Sequence, residues 1–467
     1  MYLPHKVVSR EFRDEVAERL PGLKDDYHLW RLLEHILFGT WIDDETGMLV
    51  LSAKQAAYLV GEEKKWLNHR FKLQPLLDDF ACRVFPLDTE GVVFNHWFGP
   101  NRAGRVVARV PEWLIQRAAT ERRRTGGDLV EFATGAAWTR RSHAEASHSM
   151  RFLALEAMKS SRNAETTRLL EHLNGLPSNS FASIRSRMEG AHELVDEIGR
   201  DTERQHNLLK AIEQFCQPLY QPVDKSVRVY SVNESYLRLK REVRDCLTAG
   251  WMKADLRSAQ LAIVAAKWGC TELREFLSAK HSVWPSLLSS LGVSQSDENK
   301  AQLKEFTYAL VFGMSKAGLR RLANEYWPSV KNPWTRLTSR SVLAEVLHAR
   351  TRQFELVRRD GFTVDAFGRR LTLASRAKSH GSYQGDSARS VLAQVAQSWE
   401  LALMLPILDM AEQNQGSSGF RLMMWLHDGV AIHVPDTRRR ESWRKRIGQV
   451  VDANAMALGI PTSLEWS

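Results

Sequence analysis

Lys300-Ala-Gln-Leu-Lys304-Glu-Phe-Thr-Tyr308-Ala-Leu-Val-Phe312-Gly-Met-Ser315 decides how this chain is read. Lys300, Lys304, Tyr308 and Phe312 fall at every fourth position, so on a helix they form one stripe. Ser296-Asp-Glu298, just upstream, supplies a capping oxygen and negative charge for the helix start. A stripe running from ammonium groups to aromatic rings suits a ligand that is charged at one end and flat at the other. Taken alone, the segment reads first as an amphipathic helix with a half-buried aromatic edge. The segments on either side change that reading.

Two acidic positions frame the helix. Upstream, Lys253-Ala-Asp255-Leu-Arg-Ser-Ala-Gln260 follows Gly250-Trp-Met. The pattern predicts a buried strand over Gly250–Ala254 ending at Asp255. An apolar helix over Gln260–Trp268 follows, closed by Gly269. Downstream, His427-Asp428-Gly429 separates two apolar runs, Arg421–Leu426 and Val430–Val434. That is a hairpin signal, with a carboxylate at a tip held by a rigid sheet. Singly, each aspartate is an ordinary turn or cap residue. Together with the basic helix they match two-metal phosphoryl transfer, which holds two divalent ions about 4 Å apart. Magnesium prefers hard oxygen ligands and takes one or two protein carboxylates plus substrate phosphates.

Composition bounds the rest. At 467 residues the chain predicts two to four packed units. An apolar share of 43% with 26% charged residues is that of a globular protein. The net charge of +10 favours a polyanion partner, because neutralised phosphates release counterions. Cys82, Cys216, Cys246 and Cys270 lie far apart without a Cys-x-x-Cys pair, which argues for reduced thiols and against a zinc site. The start Met1-Tyr-Leu-Pro-His-Lys6 has no apolar signal region, and no long apolar run reads as a span. The expectation is a monomer in the cytoplasm, away from membranes.

Along the chain, residues 1–110 read as a small mixed α/β accessory unit. Helices are predicted over Glu11–Leu20 and Asp26–Leu37, with a hairpin around Asp43–Gly47. Ser52–Gly61 and Lys64–Leu77 suggest two further helices, a plain hairpin before a DNA-reading winged helix. Residues 111–226 read as a helical, charge-rich domain with basic clusters at Arg122–Arg124 and Arg140–Arg141, and with turns over Asn174–Asn179 and Pro218–Lys225. Beyond Val227 short strands alternate with helices.

These segments invite a family comparison. Residues 225–467 resemble the family A DNA polymerases, the DNA polymerase I group. Asp255-Leu-Arg-Ser-Ala-Gln260 is similar to that family's first motif, and Lys300 through Ser315 to its fingers helix, with Phe312 in place of a tyrosine. His427-Asp428 matches two residues of its His-Asp-Glu motif. Thr363-Val-Asp-Ala-Phe-Gly-Arg-Arg370 resembles its Thr-x-x-Gly-Arg-Arg strand pair. Arg376-x3-His380-x3-Gln384 resembles its minor-groove helix, and Arg228 more weakly the primer-contacting entrance to the palm.

The resemblance implies an α+β right-hand polymerase, with an antiparallel-sheet palm, helical fingers and helical thumb. The thumb-like domain would cover 111–226, the palm 227–290 and 372–467, and the fingers 291–371. It implies that Asp255, Asp428 and the Leu256 carbonyl hold two Mg2+ ions, for which Mn2+ is the substitute. Lys300 and Lys304 would hold the triphosphate, and Tyr308, Phe312 and Gln260 would line the nucleotide pocket. Arg228, Arg376, His380, Gln384 and His427 would steady the DNA primer-template.

Two departures matter. The family's sugar-blocking glutamate is Gln260 here, which predicts loss of that residue's fixed partner and relaxed choice between dNTPs and NTPs. The last glutamate of the third motif is Gly429, which predicts a missing carboxylate and a freer turn. No Asp-x-Glu metal site stands in the N-terminal half, so neither proofreading nor a 5′ nuclease is expected. A polymerase stripped in this way suggests a phage, plasmid or other mobile element. The alternatives are a single-subunit RNA polymerase or primase-like enzyme, and an inactive polymerase-derived nucleic-acid-binding protein.

Overall fold

Ser9 turns the chain from an edge strand into its first helix. Its side chain accepts from the Phe12 N–H and donates to the buried Glu121, which also accepts from the Ser9 N–H at 2.8 Å. Asp26 starts the second helix by accepting from His28 and Leu29. The helices Arg10–Arg19 and Tyr27–Phe38 stand where the periodicity predicts them. In this computed structural model the described residues are 5–39, 49–52, 58–59, 61, 82–84, 95–98, 103–107, 110–124, 126–161, 163–223, 226–339, 341–373, 387–414, 416 and 418–467. The predicted Asp43–Gly47 hairpin, the Lys64–Leu77 helix and most of Ser52–Gly61 lie outside them, as do Arg376, His380 and Gln384. The fold is mostly helical with small antiparallel sheets.

The chain divides into two compact units. The first comprises residues 1–156, 176–220 and 231–249. Its core gathers Phe12, Trp30, Phe38 and Phe132, with ring centroids 5.1–6.2 Å apart. Leu129–Glu131, inside the stretch read as helical, is instead a strand paired with Val7–Ser9. Val130 is buried between two half-buried neighbours, and the antiparallel register with Val7–Ser9 identifies the strand. Glu34 is fully buried there beneath Arg31 and the Lys6 N–H.

Helices Met188–Ile198 and Thr202–Gln214 of this unit stack His192 on His206, with Nδ1 atoms 2.7 Å apart. Burial, then His206, lowers His192 to about 4. An unfolded histidine titrates near 6.5. The folded state therefore binds fewer protons between pH 6.5 and 4, and stability is lost as pH falls through that window. We expect the unfolding free energy to drop by about 1 kcal/mol from pH 7 to 5 on this account, after discounting for partial exposure. His192→Gln should flatten that slope in urea melts; an unchanged slope would refute the assignment.

The second unit comprises 157–175, 221–230 and 250–467. At its centre is a four-stranded antiparallel sheet in the order Arg421–Leu426, Gly429–His433, Met252–Leu256, Leu464–Trp466. Leu422, Met423, Met424 and Trp425 are all buried, with a register shift between Leu422 and Met424 that marks a bulge. The helix Ala259–Lys267 is closed by Gly269 at φ +72°, as its sequence signals. It packs on the helices Asp297–Val311 and Ser387–Gln413. Strands Phe362–Val364 and Arg370–Thr372 pair as predicted.

Among the described residues, one helix, Ala388–Gln413, is long and apolar enough by composition to cross a membrane. Its Leu403, Met404, Ile407 and Leu408 are fully buried within the unit. The four cysteines are free thiols.

Candidate functional site

The sheet places Asp255 on a middle strand and Asp428 at the hairpin tip that leads into the strand beside it. Gly429 pairs directly with Asp255, and the Leu256 N–H donates to the Asp428 carbonyl at 2.8 Å. His427 and Asp428 form the two-residue tip between Leu426 and Gly429. His427 sits at φ +68°, a left-handed conformation that costs a non-glycine residue roughly 1–2 kcal/mol. Burial raises the Asp428 carboxyl, its own backbone N–H opposes this, and the Asp255 charge raises it further. Two carboxylates that disfavour each other's ionisation are a hard-oxygen donor set for a divalent cation. Among the described residues no group of three or more His, Cys, Asp or Glu forms a metal-binding cluster, so the fit rests on this pair.

Gly429 does not free the turn. It is paired within the strand, and its φ is not left-handed. A Cβ there would lie 1.8 Å from Asp255 Oδ1, so the glycine makes the space in which the Asp255 carboxylate lies. The expected freer turn is therefore corrected to a steric requirement.

The lysine helix runs over Asp297–Val311, with Ser296 accepting from Asn299 N–H and Asp297 and Glu298 in its first turn. Leu303, Phe306, Thr307, Leu310 and Val311 form its buried face. Lys300 is exposed, while Lys304, Tyr308 and Phe312 are half-buried, so the stripe is the predicted separate edge. The Lys304 ammonium lies 5.8 Å from the Trp284 ring centroid. Tyr308 is pushed up to about 12 by burial, then by Asp428, Glu400 and Asp255. Its phenol therefore stands in the field of both aspartates and stays neutral.

Two arginines close the far end of this helix: Arg350 donates to the carbonyls of Leu310 and Met314, and Arg389 to that of Phe312. With Arg321, Arg358 and Phe354 they line a cavity of about 500 Å³ beside Gly313-Met-Ser315.

Gln260 has a fixed partner after all. Its Nε2 donates to Oε1 of Glu400, a buried carboxylate on the long helix. The other oxygen, Oε2, accepts from Arg228 Nε at 3.2 Å and from its terminal nitrogen at 2.7 Å. Burial pushes Glu400 up to about 7 against the pull of Arg228. Burial also works against the charge of Arg228, but Glu400 and Tyr230 outweigh it and raise the guanidinium. Sequence reasoning missed Glu400; the only signal was an acid inside the apolar run Val395–Pro406.

His427 tilts against Tyr230, with centroids 4.9 Å apart, and burial followed by Arg228 lowers it to about 4. The imidazole is neutral at physiological pH, and its buried Nδ1 finds no hydrogen-bond partner among the described residues. Asp255, Asp428, Tyr308, Gln260, Arg228 and His427 thus lie in one unit around one sheet end. Phe312 and Lys300 occupy the same helix edge farther along.

No family model matches the chain, and neither does any curated protein. Among solved structures, it is similar to the polymerase domain of Pol1 from M. smegmatis in complex with a DNA primer-template and dNTP. The identity is 14% and the TM-score 0.41, over 68% of this chain and 64% of that one. The chain thus spans under two thirds of that protein's length.

Proposed function

We propose that the chain is a template-directed DNA polymerase that adds nucleotides to a primer 3′ end. The observation that carries this reading is Asp255 on a central strand beside Asp428 at the hairpin tip, joined through the Gly429–Asp255 pair and the Leu256 N–H to Asp428 carbonyl bond, with Tyr308 of the lysine helix in the field of both. In-line phosphoryl transfer demands a geometry of ångström precision, and a hairpin tip registered against a paired strand provides a rigid frame for it. In this proposal the second unit supplies an antiparallel palm and helical fingers, and the enzyme lacks proofreading and works as a cytoplasmic monomer.

Asp255, Asp428 and the Leu256 carbonyl would hold two Mg2+ ions. When bound, those ions lower the pKa of the attacking hydroxyl and neutralise the triphosphate. Lys300 and Lys304 take the triphosphate oxygens as point charges. Tyr308 and Phe312 offer flat surfaces to sugar and base. Tyr308 is a neutral donor in this role, because its pKa lies far above working pH. Neutral His427 presents its open nitrogen to the primer side, and Arg228 adds positive charge there.

The test is extension of a labelled primer on a DNA template by the full chain, with dNTPs and Mg2+. Extension that stops with chelator and returns with Mg2+ is the expected result. No extension, with salt-sensitive duplex binding retained, would overturn the reading in favour of a binding protein.

A further inference from the structure

The sugar position in this proposal is occupied by an amide, yet the pocket keeps a carboxylate. Glu400 is 2 % exposed and lies on a helix packed against the one that carries Gln260. Its two oxygens are divided between two neighbours. Oε2 takes the paired donors of Arg228, and Oε1 takes Gln260. A carboxylate held by a guanidinium is an acceptor only, so Gln260 must turn its NH2 group toward it. The amide oxygen then faces the other way. That oxygen, Gln260 Oε1, is buried and has no hydrogen-bond partner among the described residues. A buried acceptor without a donor costs about 1–3 kcal/mol, a cost that a ligand hydroxyl would remove.

We propose that Glu400 is the positioning residue of the sugar pocket: it locks the Gln260 amide so that Oε1 accepts from a hydroxyl of the incoming nucleotide's sugar. This rests on the polymerase reading above. Gln260 alone has no fixed polarity, since its oxygen and NH2 group exchange places by a half-turn. Coupled to Glu400 it acts as a fixed acceptor, the role a glutamate at 260 would fill. Arg228 completes the device, because its two donors occupy Oε2 and leave Oε1 as the oxygen that meets Gln260. The chemistry selected is a sugar bearing at least one hydroxyl donor at this edge. A site built to bond such a group rejects an analogue that lacks it.

Single-nucleotide incorporation with dNTP, NTP and the dideoxy analogue tests this, on wild type, Glu400→Gln, Gln260→Glu and the double exchange. Glu400→Gln removes the acceptor that fixes the amide. We expect KM for dNTP to rise about tenfold with kcat within about threefold, and the preference for dNTP over the dideoxy analogue to collapse. Gln260→Glu alone buries two facing carboxylates and should be at least as impaired. The double exchange restores one acid and one amide, and should return KM and preference to within about threefold of wild type.

An unchanged dideoxy preference in Glu400→Gln, or a double exchange no better than the single variants, overturns the proposal. Failure of wild type to extend any primer instead refutes the polymerase reading. In that case the thermal midpoint in Mg-dNTP and in the Mg-dideoxy analogue scores the network. A larger shift with dNTP in wild type, lost in Glu400→Gln, upholds it; equal shifts in wild type overturn it.

Discussion

Asp255→Asn and Asp428→Asn should each lower primer extension by about 10³-fold or more while raising the thermal midpoint of the metal-free protein. The first effect follows from the number of hard ligands in the proposed site: two carboxylates would hold the divalent ions, and an amide oxygen is a weak substitute at either place. The second follows from what those charges cost in their absence. Burial and the Asp255 charge hold the Asp428 carboxyl above its ordinary range. The ionised form is therefore a liability of the folded state at every pH above that of the unfolded side chain. Asparagine keeps the shape and removes the charge. Added Mg2+ should raise the wild-type midpoint and leave those of the variants nearly unmoved. Scanning calorimetry with and without Mg2+, beside single-turnover extension, reads both effects. Variants that lose stability like ordinary core substitutions would mean that the aspartates serve the sheet and not the chemistry.

That coupling of strain and function explains which parts of the site were legible in the chain. The lysine helix could be read because everything that forms it is local. Ser296 caps it, acids fill its first turn, and its buried face and its stripe both follow from the repeat of 3.6 residues. The hairpin at His427-Asp428 could be read for the same reason, since apolar runs on both sides leave the polar tip nowhere else to go. Glu400 could not. It acts on Gln260 from 140 residues away and on Arg228 from 172 residues away, and only packing decides such pairs. In sequence, it is one acid in an apolar helix. The strand Leu129–Glu131 was lost to its charged surroundings, because a three-residue edge strand has too few positions to show a period.

Gly429 was misread for a related reason, and it gives the second large prediction. A glycine in a turn motif suggests backbone freedom, but this one is needed for the volume it leaves empty. Its backbone is ordinary strand, so alanine meets no φ penalty there. The added Cβ would stand 1.8 Å from Asp255 Oδ1 and 3.0 Å from its Cγ, well inside contact distance. Either the strand shifts or the Asp255 side chain rotates. Rotation is far cheaper, because the strand is pinned by its register with Met252–Leu256 on one side and Arg421–Leu426 on the other. Gly429→Ala should therefore leave circular dichroism unchanged and extension reduced by about 10²-fold or more, since misplacement by about 1 Å is that costly. Gly429→Glu, which recreates the glutamate of the resembled motif, should be worse and not better. It combines the same collision with a third carboxylate beside two that already oppose each other. Extension assays on both variants, with Mg2+-dependent stabilisation as the folding control, decide the matter. Full activity in Gly429→Ala would show that the Asp255 carboxylate does its work from another rotamer.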